Sequence, residues 1–454
     1  MITTGFAAAV VVIGFGYLIA TVALSRRKLP VPSTGAEPER FVFVVPALNE
    51  ERVIGATVHS LLGACGERGR VLVIDDGSTD TTGQILDRLR ATHPDRVWVL
   101  TRRAPAARQG KGAALNAAYQ LVRDTTLADG LNPSAVVLGI VDADGRLEPA
   151  VLAQVAPYFR DPRVGAVQLL VRIRNRARLL CRFQDYEFLV FSSLTQTARE
   201  KLGSVGLGGN GQFTRLAALM DLGEAPWTAC LTEDLDLGVR LAIAGWQNRF
   251  CGETFVDQQG LDSLPRLLRQ RTRWAHGHFQ CWQLIPKVIA STLPTVTVLD
   301  LCYYLLAPAI VLASSVLFTV PLVLLITRIA TDPRVWGSPG GLAYLGALYL
   351  ISFGPALGLA LVYQRRARDL SVFAAVLLGQ LLAGYNYIWY LAEWKALVRI
   401  LTRRTGWTKT SRIHEHPAHP IPSEGVGDPA PRPARHAAGT TGLVSLDELL
   451  ERAS

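Results

Sequence analysis

Apolar and polar positions divide the chain into segments of different kinds. From Ile2 to Leu24 no charged residue interrupts the apolar run, and Arg26, Arg27 and Lys28 follow at once. As a helix this run would span roughly 30 Å of hydrocarbon. The basic residues come after the run instead of before it, and no small-x-small site precedes them. An uncleaved anchor is therefore expected rather than a signal peptide, with the following segment on the cytoplasmic side. Three more uncharged runs, Leu301 to Thr327, Val335 to Gln364 and Leu370 to Ala392, lie toward the other end. Each could cross once, but simple alternation would put the basic end of the last run (Lys395, Arg399, Arg403, Arg404) on the side that basic residues avoid. A break near Gly384 to Tyr387, letting the fourth run re-enter, would resolve the parity.

Between about Arg40 and Gly260 the pattern changes to short β-rich runs separated by helical periodicity. Phe41 to Val45, Val71 to Ile74, Val97 to Leu100 and Ala135 to Val141 read as strands. Such alternation predicts an α/β domain with a mostly parallel sheet, which binds ligands beyond the carboxyl ends of its strands. Polar clusters sit at those ends: Pro46-Ala-Leu-Asn-Glu50, Asp75-Asp-Gly-Ser-Thr-Asp80 and Asp142-Ala-Asp144. The expected layout is an anchor over 1–28, an α/β domain over 40–260, an interfacial helix region over 261–298, a membrane region over 299–412 and a disordered tail over 413–454.

Composition narrows the class. In 454 residues only 19% are charged, and the mean hydropathy is +0.23. That is too apolar for a disordered or ordinary soluble chain and too charged for a wholly membrane-buried one. Subtracting 37 acidic from 47 basic residues leaves +10, which fits nucleic acid, an anionic membrane face or a phosphorylated substrate equally. Six scattered cysteines, without CxxC spacing, suggest neither a zinc site nor a disulfide framework. His414, His416 and His419 fall in the Pro- and Gly-rich tail, where a solvated role outweighs metal binding.

Two carboxylates at i and i+2 after an apolar strand repel each other, so Asp142 and Asp144 call for a cation. A hard ion such as Mg²⁺ or Mn²⁺, completed by the oxygens of a substrate diphosphate, meets that need without a full protein cage. A solvated turn ended by Gly145 is the alternative. An EF-hand does not fit the acidic spacing, and a P-loop ending at Gly110-Lys111 fails because Pro105 and Gly112 stand where Gly and Ser or Thr are required. Gly206-Leu-Gly-Gly-Asn-Gly211 matches GxGxxG but lies deep in the domain, away from a first βα turn. Its better use is a loop that lets substrate approach the backbone. His276 and His278 would face apart on a helix, so no metal is expected from them.

The order Pro46-Ala-Leu-Asn-Glu50, Asp75-Asp-Gly-Ser78, Gly110-Lys111-Gly112, Asp142-Ala-Asp144, Gly208-Gly-Asn210, Thr232-Glu-Asp234 and Gln270-Arg-Thr-Arg-Trp274 resembles the membrane-embedded family 2 glycosyltransferases. That group holds cellulose, chitin, hyaluronan and poly-N-acetylglucosamine synthases, and the likeness runs from about Arg40 to Arg412. It implies a GT-A (nucleotide-diphospho-sugar transferase) domain with transmembrane and interfacial helices. It further implies that Glu50, Asp75 and Asp76, with Lys111 nearby, hold the uridine end of a UDP-sugar. Asp142 and Asp144 would be the DxD pair that binds Mg²⁺ or Mn²⁺, with Asp144 the closest metal contact. Asp234 would be the general base. Asn210, Glu233 and the QxxRW residues Gln270, Arg273 and Trp274 would serve the acceptor and diphosphate.

The chemistry suits these residue types. A departing diphosphate gains negative charge, so cations placed there speed the reaction, and a weakly nucleophilic hydroxyl needs a carboxylate within reach. Attack opposite the leaving group would turn an α-linked donor into a β-linked product. Acids at Glu233-Asp-Leu-Asp236 could instead line an exposed helix start, where they suit the dipole. Leu267 to Lys287, with its aromatics, could be an interfacial helix, and Arg178 to Lys201 a second one or part of a core. The expected protein is an inverting, metal-dependent hexosyltransferase of the cell membrane, multi-pass, with a cytoplasmic catalytic domain and no nucleic-acid partner. It would build a β-linked polysaccharide; transfer of one or a few sugars to a lipid acceptor is the alternative, and an inactive scaffold or transport subunit a more distant third.

Overall fold

The computed structural model describes residues 14, 16–332 and 334–403, apart from the side chains of 335, 336 and 351. Half of the expected anchor, Arg404 and the tail with its histidines lie outside the described residues. Eight strands form one sheet in the order β3-β2-β1-β4-β7-β6-β8-β5. They are β1 (Arg40–Ala47), β2 (Gly69–Asp75), β3 (Val97–Thr101), β4 (Val136–Ile140), β5 (Arg146–Leu147), β6 (Val164–Ile173), β7 (Gln212–Arg215) and β8 (Gln247–Gln258). The four expected strands correspond to β1 to β4, which pair in parallel. Beyond them the sheet is mixed, because the short β7 runs antiparallel between β4 and β6, while β6 and β8 pair in parallel.

Strand β1 shows why this segment is extended. Side chains alternate across a sheet, so Phe41, Phe43 and Val45 join one core with helix α1 (Ile54–Cys65), and Val42 and Val44 join the opposite core with α2 (Lys111–Ala128). Both faces are covered, and the strand therefore reads as a continuous apolar run. Register aligns Ala47 with Asp75 and Val44 with Ile140. The polar clusters after β1, β2 and β4 consequently emerge side by side.

The segment from Leu179 to Leu202 is helical in three pieces, with a π-helical turn over Glu187–Ser192. It is mainly buried core: Phe183, Tyr186 and Val190 pack in one cluster with Leu267, Tyr363 and Tyr385. The segment in which an interfacial helix is expected is helical as α3 (Leu264–Gln280). The described end of the N-terminal run, Gly16–Ser25, is helical; Tyr17 donates to Asp300 at 3.0 Å and stacks on Tyr303.

Among the described residues two helices, α4 (Ala307–Thr331) and α5 (Val372–Leu401), are long and apolar enough to cross a membrane. A third candidate is the pair Pro339–Leu350 and Ser352–Ala367, bent by 43°. The open question of a break is answered by α5, which runs unbroken through Gly384 to Tyr387. A lone glycine among good helix formers costs only about 1 kcal/mol and does not break a packed helix. The bend lies instead just before Pro355, which has no N–H for the carbonyl four residues earlier.

Candidate active site at the carboxyl ends of the sheet

The acidic residues are assembled by three strand ends and one helix start. Strand β4 delivers Asp142, whose carboxylate accepts from Lys111 at 2.8 Å. Lys111 opens α2 directly after Gly110, which adopts φ +104°. The same ammonium lies 3.6 Å from Glu233, at the start of helix Glu233–Ile243. Burial works against the Lys111 charge, but Asp142, Glu233 and Asp234 outweigh it and hold its pKa above the usual lysine range.

Asp234 follows Glu233 and accepts the backbone N–H of Leu235 at 2.8 Å. Burial, then the neighbouring Glu233 carboxylate, push its pKa up to about 7 against the pull of Lys111. A carboxylate at that value is poised to exchange a proton near neutrality. This is no solvated helix start, since Glu233 and Asp236 are buried and Asp236 pairs with Arg240 at 2.6 Å.

The glycine-rich loop before β7 closes over this group. Gly209 has φ +71°, and a Cβ there would meet Asp234 Oδ2 at 2.7 Å and Lys111 Nζ at 3.2 Å. Only a residue without a side chain lets the backbone come so near. Asn210 Oδ1 accepts from the Asp142 backbone N–H at 3.1 Å, and its amide donates to Gln258 at 2.8 Å. Gln168 bridges the loop from below, donating to the Asn210 carbonyl and accepting from Gly208 N–H, both at 2.8 Å.

The two members of the Asp-x-Asp pair differ in setting. Asp142 is partly exposed. Asp144 is fully buried, and its Oδ2 accepts from the Gln259 backbone N–H at 2.9 Å. Among the described residues no group of three or more His, Cys, Asp or Glu side chains could hold a metal alone. An ion at this pair would therefore take its remaining oxygens from a diphosphate, the manner in which Mg²⁺ is usually held.

Glu50, Asp75 and Asp76 line the adjacent strand ends, all three buried. Glu50 donates its N–H to Thr82 at 2.8 Å, Asp75 accepts from Ser78 N–H at 2.9 Å, and Asp76 accepts from Arg102 at 2.5 Å. Burial raises the Asp76 pKa despite Arg102.

The Gln270 to Trp274 motif sits on α3, which braces the Thr-Glu-Asp segment through its far end. Gln280 Oε1 accepts from Leu231 N–H at 2.9 Å, and a Cβ on Gly277 would meet Thr232 backbone nitrogen at 2.6 Å. Trp274 lies one turn earlier and packs near Trp389 of α5, with ring centroids 6.4 Å apart. Arg271 is 1% exposed, sits over both rings at 4.2 and 4.9 Å, and donates to Gln270 at 3.3 Å and to Glu187. Arg273 keeps its Nε buried and without a hydrogen-bond partner, a donor suited to an anionic ligand. The structure thus unites Lys111, Asp142, Asn210, Glu233 and Asp234 directly, and links Gln270, Arg273 and Trp274 to them through the bracing helix.

Sequence reasoning missed Arg102, Gln168, Gln258, Arg271, Glu187 and Trp389. None carries a motif signal of its own, although Arg271 lies inside the QxxRW sequence, three residues before Trp274.

Comparison with known proteins follows the same outline. A family model described as "Glycosyltransferase like family 2" matches residues 38–277. The chain is 37% identical over 242 residues to a β-monoglucosyldiacylglycerol synthase of Synechocystis sp., covering 52% of this chain and 47% of that protein. It is 26% identical over 250 residues to a poly-β-1,6-N-acetyl-D-glucosamine synthase of Staphylococcus aureus, covering 53% and 55%. The chain spans about half the length of the curated relatives it matches. Among solved structures, its fold is similar to that of the mannosyltransferase PcManGT from Pyrobaculum calidifontis, solved in complex with GDP-Man and Mn²⁺ (TM-score 0.56, 20% identity, 88% of this chain and 99% of that one).

Proposed function

The chain belongs to glycosyltransferase family 2, and from that premise we propose that it is an inverting, metal-dependent enzyme transferring a hexose from a UDP-sugar to the hydroxyl of a membrane lipid. The observation that carries this reading is the convergence of Asp142, Lys111, Glu233 and Asp234 beneath the Gly209 backbone. Asp234 takes the proton of the acceptor hydroxyl, whose oxygen forms the new bond to the anomeric carbon. The bond from that carbon to the phosphate breaks, and UDP leaves with the electron pair. A divalent ion held by Asp142 and Asp144 supplies positive charge to the diphosphate when bound. Glu50, Asp75 and Asp76 face the nucleoside end, and Arg273 the diphosphate.

Support for a lipid acceptor comes from the 37% identity to a protein named for a glucolipid product and from the sharing of one core by the sheet domain and the apolar C-terminal helices. Polysaccharide extension is the second reading, supported by the Gln270 to Trp274 motif and by the more distant poly-N-acetylglucosamine synthase. In either case the catalytic domain faces the cytoplasm, where UDP-sugars reside, and the chain is anchored by several spans.

The test is to supply the purified protein, in lipid nanodiscs containing diacylglycerol, with a panel of UDP-sugars. UDP release and product mass are then followed. Short lipid-linked products support the proposal, long polymer supports the second reading, and absence of UDP release with every donor rejects both.

A further inference from the structure

Cys230 and Cys281 lie 51 residues apart in sequence, yet the fold sets their sulfurs 3.6 Å from each other. Cys230 stands two residues before Thr232 of the Thr-Glu-Asp segment, and Cys281 directly follows α3. Thr232 closes a triangle with them, its hydroxyl 3.6 Å from each sulfur, and Cys230 donates to the Gly277 carbonyl at 3.4 Å. The two thiols differ in setting. Cys281 is fully buried and packs with Leu235 and Val239 of helix Glu233–Ile243, whereas Cys230 is only partly buried. Once ionised, Cys230 accepts from the Cys281 thiol and then from Thr232, which hold its pKa below the usual thiol value against burial. Cys230 is therefore the attacking sulfur.

We propose that Cys230 and Cys281 form a reversible disulfide when the protein meets a peroxide, and that this bond slows the site. The second half rests on the transferase reading. The Cys230 sulfur attacks one peroxide oxygen, the O–O bond breaks, and the leaving hydroxide takes up the Cys230 proton as water. Cys281 then attacks the resulting sulfenic acid, the S–O bond breaks, and a second water carries off the Cys281 proton. Two thiols have lost two electrons, and one peroxide has become two waters. A dithiol reverses the bond by exchange.

Sulfurs in a disulfide stand about 2.0 Å apart, so the pair must close by roughly 1.5 Å. The surroundings leave little slack. Leu231 N–H is tied to Gln280 at 2.9 Å, and Gly277 abuts Thr232. Closure is thus passed to Asp234, four residues beyond Cys230 and next to the Leu235 that packs on Cys281. A shift of about 1 Å at a reacting group can lower rate a hundredfold.

The full-length protein in lipid nanodiscs is treated with hydrogen peroxide, its remaining thiols are alkylated, and its peptides are analysed by mass spectrometry. Sugar transfer is measured in parallel. Expected are a linked peptide holding Cys230 and Cys281 and a fall in transfer of about tenfold or more. Dithiothreitol then removes the link and restores transfer. Cys230→Ser forms no link and keeps its rate in peroxide, whereas Cys302→Ser, at another partly buried cysteine, stays as sensitive as the parent protein. Absence of the linked peptide, oxidation that stops at a sulfinic acid, undiminished transfer by the bridged protein, or an equal loss in Cys230→Ser overturns the proposal. The link is read without turnover, so its failure is distinct from failure of the transferase reading.

Discussion

Lys111 donates to Asp142 at 2.8 Å although 31 residues separate them in sequence. With Glu233 at 3.6 Å from the same nitrogen, one ammonium joins the strand-end acid to the acids that begin the next helix. Like charges would otherwise drive these segments apart, and each strand-end loop would lose its reason to close on the other.

Replacing that cation tests the arrangement. Lys111→Met leaves Asp142, Glu233 and Asp234 unbalanced, at a cost of about 2 kcal/mol for uncompensated, partly buried charge. Lys111 pulls the Asp234 pKa down, so its loss moves that pKa further above 7. The rise of activity with pH is then expected at higher pH in the variant. A pH–rate profile identical to the parent protein's would exclude Lys111 from the electrostatics of Asp234.

Asp234 with a pKa of about 7 makes the parent profile itself informative. Below that value the base is protonated, and kcat/KM falls about tenfold per pH unit; above it the rate levels off. Asp234→Asn keeps the shape and removes the base. Transfer is expected to fall by about 10² to 10⁴-fold, while UDP binding measured by calorimetry persists. Transfer at the parent rate would assign the base elsewhere.

Gly209→Ala separates backbone strain from crowding. The left-handed backbone costs an alanine about 1 kcal/mol, and the added methyl would stand 2.7 Å from Asp234 Oδ2. Misplacing a reacting group by about 1 Å can lower rate a hundredfold. Gly223, at φ +95° with nothing within 4 Å of its virtual Cβ, is the control. Gly223→Ala should lose similar stability and keep its kcat, whereas Gly209→Ala should lose kcat as well.

Chelation addresses the Asp-x-Asp pair. Excess EDTA is expected to abolish transfer, with recovery on adding Mg²⁺ or Mn²⁺, and Asp142→Asn should raise the ion concentration needed for half recovery. Steady transfer in EDTA would leave Asp142 and Asp144 as structural acids only.

The apolar runs and the acidic clusters at strand ends could be read from the sequence because they obey local rules: a short continuous apolar run in β1, which is buried on both faces, and turns after β1, β2 and β4. The antiparallel β7 could not, since Gln212–Arg215 is short and polar and is extended only because β4 and β6 flank it. Nor could the unbroken course of α5 past Gly384, which packing with Tyr363 and Leu267 supports at Tyr385. Most hidden were contacts between distant elements. That Gln168 carries the glycine-rich loop, or that Gly277 abuts Thr232, follows from tertiary placement and has no sequence period.

The π-helical turn at Glu187 offers a last test of such a contact. Glu187 accepts from Arg271 and from the Trp389 indole, and Arg271 lies between the Trp274 and Trp389 rings. Glu187→Gln leaves a fully buried guanidinium without its counter-charge, at an expected cost of about 3 kcal/mol. Removing both charges is different: in Glu187→Gln/Arg271→Met an apolar chain replaces the cation, and much of the stability should return. The double variant then keeps α3 packed on α5, so the thermal midpoint recovers, while acceptor KM stays raised because Trp274 has lost the cation beneath its ring. Thermal unfolding and acceptor titration read the two effects separately. If Glu187→Gln unfolds at the parent temperature, Glu187 does not hold α3 in place.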